Sequence, residues 1–183
     1  LSLLTLSLFA QVSFEDSLKK ILELKNAGDI RGALEELTWV QQELNKSNLE
    51  KLSSFVPEKV LDYAGGKIEN NSALGIVTIE RQYKNADSEL KLSLITSSGG
   101  EGLGGLAAFA GMAAGMGGQV PGMDNIRLRH GKAVVDTTNG SPKGIITVGS
   151  VTINVEGVSN ITKEKLVGFI QALNLEGLST YIK

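Results

Sequence analysis

The side chains able to do chemistry are few, and they form no familiar constellation. His130 is the only histidine and there is no cysteine, which removes thiol catalysis, redox chemistry at sulfur and zinc ribbons. Met112 and Met116 stand one helical turn apart and Met123 follows; with His130 they make a set of thioethers and an imidazole suited to Cu(I). Against that, Met is ordinary filler of irregular cores, and His130 beside Gly131 reads as an exposed turn residue. No metal and no cofactor is therefore expected. Ser/His/Asp hydrolysis would depend on His130, and no G-x-S-x-G elbow is present. Gly100-Glu101-Gly102-Leu103-Gly104-Gly105 has the glycines of a phosphate loop without its Lys-Ser/Thr ending. The acids of the β-rich half fall in turns or on solvent faces, so no catalytic residue is expected, and a carboxylate hydrolase is the least favoured function.

The segment with the least usual composition lies between two β-rich blocks. Residues 102–123 carry no charge, and nine of the chain's 22 glycines sit between Gly99 and Gly118. On a helical wheel Leu106, Phe109, Met112 and Met116 share one side, while Ala107, Ala108, Gly111, Ala114 and Gly115 make a flat opposite side. The plain reading is a weak helix laid on a sheet. A lid over an apolar pocket and a membrane-contacting segment are the alternatives. Leu106, Phe109, Met112 and Met116 are the expected ligand or membrane contacts. Spanning is not expected, because it would divide the two β blocks across a bilayer.

Positioning these residues falls to an α+β fold. Phe14, Leu18, Ile21 and Leu22 recur at helical spacing, Gly28 suits the left-handed residue after a helix, and Asp29 can cap the next one. The second helix is expected to bury Ile30, Ala33, Leu34, Leu37, Val40 and Leu44, with the hairpin packed into the fold. Ser47-Asn48-Leu49-Glu50 reads as a capping box opening a short third helix before Pro57. Trp39 with Gln41-Gln42 reads as helix packing with a solvated edge. Residues 74–84 and 88–96 alternate as a β-hairpin, and residues 125–156 as a four-strand meander turning at His130-Gly131, Asn139 to Pro142 and Gly149-Ser150. A closing helix from about Thr162 turns Leu166, Phe169, Ile170 and Leu173 inward. The expectation is an antiparallel sheet of about six strands, with helices at both ends and one face covered.

Residues 1–10, LSLLTLSLFA, form a short apolar run closed by Ala10. That is the pattern of the back half of a secretory signal, too short to span a bilayer. A single domain over 11–183 is then expected, made of a helical part (11–56), a β-hairpin (66–97), the Gly/Ala/Met-rich insertion (98–123) and the meander with its helix (124–183). The lack of disulfides favours a periplasmic or secreted bacterial protein. A net charge of −2 argues against nucleic acid as a partner. Residues 14–53 hold six basic and eight acidic side chains, so no one-sided field points to a charged surface.

The stretch AGDIRGALEELTWVQQEL followed by LEKLSSFVPE resembles the opening of a group of uncharacterised exported bacterial proteins. Those carry a signal peptide, an AGD-x-x-GALEEL helical hairpin, a short helix ending in F-[LV]-P-E, and a β-rich domain closed by a helix. The resemblance covers residues 15–58 clearly and the rest of the layout loosely. It implies export and the α+β arrangement, and it transfers no functional residue. The hairpin is also similar to one tetratricopeptide unit, but a groove would need about three such units. The expected function is non-enzymatic binding in the bacterial envelope, of an apolar or amphipathic ligand or an envelope protein. A membrane-surface role for residues 102–123 is the alternative.

Overall fold

The structure, a computed structural model, describes residues 14–73, 76–97, 122–138 and 140–182. The chain divides into two compact units, Leu1–Asn48 and Leu49–Lys183. In the first, α1 (Phe14–Asn26) turns back into α2 (Ile30–Ser53). The turn follows from local chemistry. Gly28 takes φ +81°, a left-handed conformation that only glycine enters without strain, and the Asp29 carboxylate accepts from the Gly32 amide at 2.9 Å to cap α2. The helix then continues without a break through Ser47-Asn48-Leu49-Glu50, so the expected third helix is the last turns of α2. Neither proline nor glycine interrupts residues 33–56, and a capping sequence starts a helix only where something else has ended the previous one.

The second unit is built on one sheet of eight strands: β1 (Lys59–Val60), β2 (Tyr63–Ala73), β3 (Ile76–Lys84), β4 (Glu89–Ser97), β5 (Met123–Leu128), β6 (Gly131–Asp136), β7 (Lys143–Val148) and β8 (Val151–Ser159). Their spatial order is β1-β2-β3-β4-β8-β7-β6-β5, every pairing antiparallel. The expected hairpin is β3–β4 and the expected meander is β5–β8. The β4–β8 pairing, with Leu92 opposite Val155 and Leu94 opposite Ile153, fuses the two blocks. The two strands beyond the expected six are β1 and β2. Around Gly65-Gly66, β2 is irregular, and Glu69 to Ser72 is a polar, exposed run, so the alternation that marks a half-buried strand is missing there.

One face of the sheet carries the core. Ile79, Tyr83, Leu90, Val135, Ile146 and Val155 point into it with essentially no exposure, while Thr78, Glu80, Lys91 and Asn154 alternate onto the other face. The covering element is α3 (Lys163–Ala172), capped by Thr162, whose hydroxyl accepts from the Lys165 amide, and buried through Leu166, Phe169 and Ile170. Gly144 on β7 lies directly beneath it. A Cβ at Gly144 would run into the end of the Ile170 side chain, so a larger residue here would make that buried side chain shift. A short helix not expected from the sequence, α4 (Glu176–Tyr181), closes the chain by burying Leu178.

The segment leaving α2 is tied to this sheet by two side chains of β3. The Tyr83 hydroxyl donates to the Pro57 carbonyl at 2.7 Å, and Arg81 Nη1 donates to the Val56 carbonyl at 3.0 Å. The Phe169 ring meets Tyr83 and Tyr63 edge-on, with centroids 5.1 and 5.6 Å away, a favoured arrangement for aromatic pairs. Burial pushes the Tyr83 hydroxyl up to about 12, with Arg81 pulling only weakly the other way. An unfolded tyrosine ionises near 10. Between those values the unfolded chain gives up a proton that the folded chain keeps, so this contribution to stability is whole below pH 10 and drains away as pH rises towards 12. Titration followed by tyrosinate absorbance should therefore show an ionisation near pH 12, and that step should vanish in Tyr83→Phe.

Burial also sets apart the two units. Phe169 is fully buried, whereas Leu37 is 48% exposed. In urea melts at high dilution, Phe169→Ala should cost about 3–5 kcal/mol and Leu37→Ala less than about 1 kcal/mol. A cost for Leu37→Ala as large as that for Phe169→Ala would show that the helical pair is buried after all.

Candidate interaction surface

The helical pair departs furthest from what its sequence implies. Of the residues expected inside α2, Ala33 and Val40 are buried, but Ile30, Leu34, Leu37 and Leu44 are exposed; α1 buries nothing completely. Phe14, Leu18 and Leu22 are exposed as well. Trp39, expected to pack, is 70% exposed. The reason is geometric. Each helix carries an apolar stripe covering a third or more of its circumference, and a two-helix contact covers only a narrow line.

The exposed residues all lie on one side. Lys20 and Glu36 pair at 2.7 Å, and the hydrogen bond from Lys20 holds the Glu36 carboxyl below the usual carboxylate range, with Ser17 assisting. At about 100° per residue, these two charges precede, on each helix, the least exposed apolar positions, half-buried Ile21 and Leu24 on α1 and buried Ala33 and Val40 on α2, which mark the line of contact. Phe14, Leu18 and Leu22 follow that line on α1, and Ile30, Leu34, Leu37 and Leu44 follow it on α2. The helices run antiparallel, so following the line in the same angular sense leads to the same side of the pair. One side is thus bridged by an ion pair and the other presents seven large apolar side chains. Leu22 and Leu34, at 58% and 59% exposure, lie within it. Among the described residues, Lys25, beside the Gly28 turn, is the charged residue nearest the middle of this side, and Glu15 and Arg31 stand at its edges. Trp39 is on the far side of α2 from it.

Scaling a full side-chain area of 150–200 Å² by the exposed fractions gives roughly 600 Å² of apolar surface. That is the upper end of what a monomer ordinarily leaves uncovered, and such patches mark interaction sites. The sequence carried a readable sign of this: the stripe on α2 holds six apolar residues, more than one neighbouring helix can cover.

The residues expected to make ligand contacts, Leu106, Phe109, Met112 and Met116, lie outside the described residues. Of the thioether and imidazole set, Met112 and Met116 also lie outside them, and the remaining two are separated. Met123 opens β5, while His130 stands in the turn after its other end, so the strand rise alone keeps them about 17 Å apart. His130 is half-buried instead of exposed, with its Nε2 shut from solvent and without a partner. It borders a cleft of about 220 Å³ with Arg129, Gln171, Asn174 and Glu176. The cleft lining holds one acid, one imidazole and no serine, threonine or cysteine, so it offers no hydroxyl or thiol nucleophile. Among the described residues no group of three His, Asp or Glu side chains is placed to hold a metal, and no helix is long and apolar enough to cross a membrane. Nothing in the described residues indicates catalysis.

No protein-family model matches the chain, and no curated protein matches it. Among solved structures, the chain is similar to a GTP binding regulator from Thermotoga maritima, with 13% identity over 68% of this chain and 87% of that one and a TM-score of 0.40. A likeness that faint carries no argument about either fold or function.

Proposed function

We propose that this chain is an exported, non-catalytic binding protein of the bacterial envelope, and that it engages its partner through the apolar side of the α1–α2 pair. The observation that supports this reading is the contiguous, nearly uncharged surface formed by Phe14, Leu18, Leu22, Ile30, Leu34, Leu37 and Leu44. Water-facing leucines on this scale give up free energy that burial in a complex would recover, at about 25 cal/mol per Å² before the costs of association. A protein is favoured over an anionic lipid surface as the partner, because residues 14–53 hold eight acids against six bases. Apolar area brings the partner in, and the scarcity of charge on the surface avoids burying an unpaired ion.

A photo-crosslinking residue placed at Leu34 in the producing cell should form protein adducts. The same residue at exposed Glu43, on the opposite side of α2, should form few. Adducts at neither position, or equal adducts at both, would contradict the reading, and mass spectrometry of the Leu34 adduct identifies the partner.

A further inference from the structure

Resting on that reading, we infer that the occupant of the apolar side of the α1–α2 pair is a second copy of the same pair, giving a two-fold antiparallel four-helix assembly. Area is the first argument. Covering roughly 600 Å² on each of two copies removes roughly 1,200 Å² in total, which reaches the lower bound of specific protein–protein interfaces. A partner that covered only part of the surface would fall short of that bound.

Self-complementarity is the second argument. A two-fold interface requires that each half of the patch meet the other half without conflict. Lys20 and Glu36 fix the same level on the two helices, and that level lies within one turn of the middle of the patch on both, which is Leu18 on α1 and Leu37 on α2. An axis at this level, lying in the interface and perpendicular to the helices, sets α1 on α1 and α2 on α2 of the other copy, with Leu37 close to the axis. The geometry is that of an antiparallel bundle, in which apolar stripes wider than one contact line are covered by two neighbours.

Charge selects this arrangement over its alternative. With the axis perpendicular to the helices, Lys25 at the turn end of one α1 comes over Glu15 at the start of the other α1, and the pair occurs twice. With the axis parallel to the helices, both turn ends meet and Lys25 faces Arg31, a like-charge contact. The antiparallel arrangement leaves no charge on the apolar side without an opposite neighbour.

Sedimentation velocity of the full chain over about 1–100 µM tests this, since an interface of this size supports association in about the micromolar range. A monomer–dimer equilibrium is expected, and Leu34→Glu should weaken it about 100-fold, because the charge enters the apolar centre twice. Leu22→Gln serves as the second variant, should Leu34→Glu lose its helical circular dichroism. Trp39→Ala, away from the surface, should leave the dimer intact. Lys25→Glu and Glu15→Lys should each weaken it about threefold at low salt, and the two together should restore it. A dimer indifferent to both Leu34→Glu and Leu22→Gln overturns the inference, as does a chain that stays monomeric throughout. In the monomeric case, Leu34 adducts to a different protein in the cell leave the proposed function standing; their absence removes both.

Discussion

Two helices packed against each other share one line of contact, and the α1–α2 pair carries more apolar surface than that line can cover. Ala33 and Val40 fill the line. Leu34 and Leu37, one residue further round the same turns, cannot reach it. Lengthening the helices would not change this, because the width of the stripe and not its length is in excess. A third helix or a second pair is the ordinary remedy, and tetratricopeptide-like arrays and helical bundles both apply it. Among the described residues of the first unit there is no such element, so the sequence of the pair specifies a surface and a need for cover together.

The second unit shows what a satisfied arrangement looks like in the same chain. Its sheet turns one set of alternating residues onto α3, and the polar groups buried near that interface mostly find partners. Tyr83 and Arg81 take the carbonyls of Pro57 and Val56, and Tyr63 meets Ser88 at 2.9 Å. Even the close contact of α3 with β7 is provided for, by Gly144 under Ile170. A chain that resolves its packing this closely in one unit leaves the leucines of the other open. Among described elements the difference lies in what covers them, and not in how apolar they are.

Much of this was legible in the sequence wherever structure is local. The alternation of Val77, Ile79 and Tyr83 against Leu90, Leu92 and Leu94 marks β3 and β4, and Thr162 with Leu166, Phe169 and Ile170 marks α3 with its cap and its buried side. The left-handed Gly28 and the capping Asp29 follow from their own chemistry. What was not legible is either weakly patterned or long-range. The β2 strand hides behind Gly65-Gly66 and a polar run, and the β4–β8 pairing joins residues some sixty positions apart, which no local window contains. Ser47 and Asn48 look like a cap, yet a helix already running passes through them. For the candidate surface, the sequence shows the stripe on α2 clearly, but periodicity tells which residues share a side and not whether anything lies against that side. Leu34 and Leu37 therefore read as core and stand exposed.

The absence of cysteine makes the central claim directly measurable. Leu34→Cys introduces a single thiol on the apolar side of the helical pair, and Ala133→Cys introduces one in the buried face of the sheet, where Ala133 is 2% exposed. Alkylation rates of the native chain, compared with the denatured chain, then report cover at each place. In dilute solution the Leu34→Cys thiol should react nearly as fast as in denaturant and become protected as the concentration rises, while the Ala133→Cys thiol stays blocked throughout. Protection of Leu34→Cys equal to that of Ala133→Cys at every concentration would mean that the chain covers this side itself, and the surface would not be an interaction site.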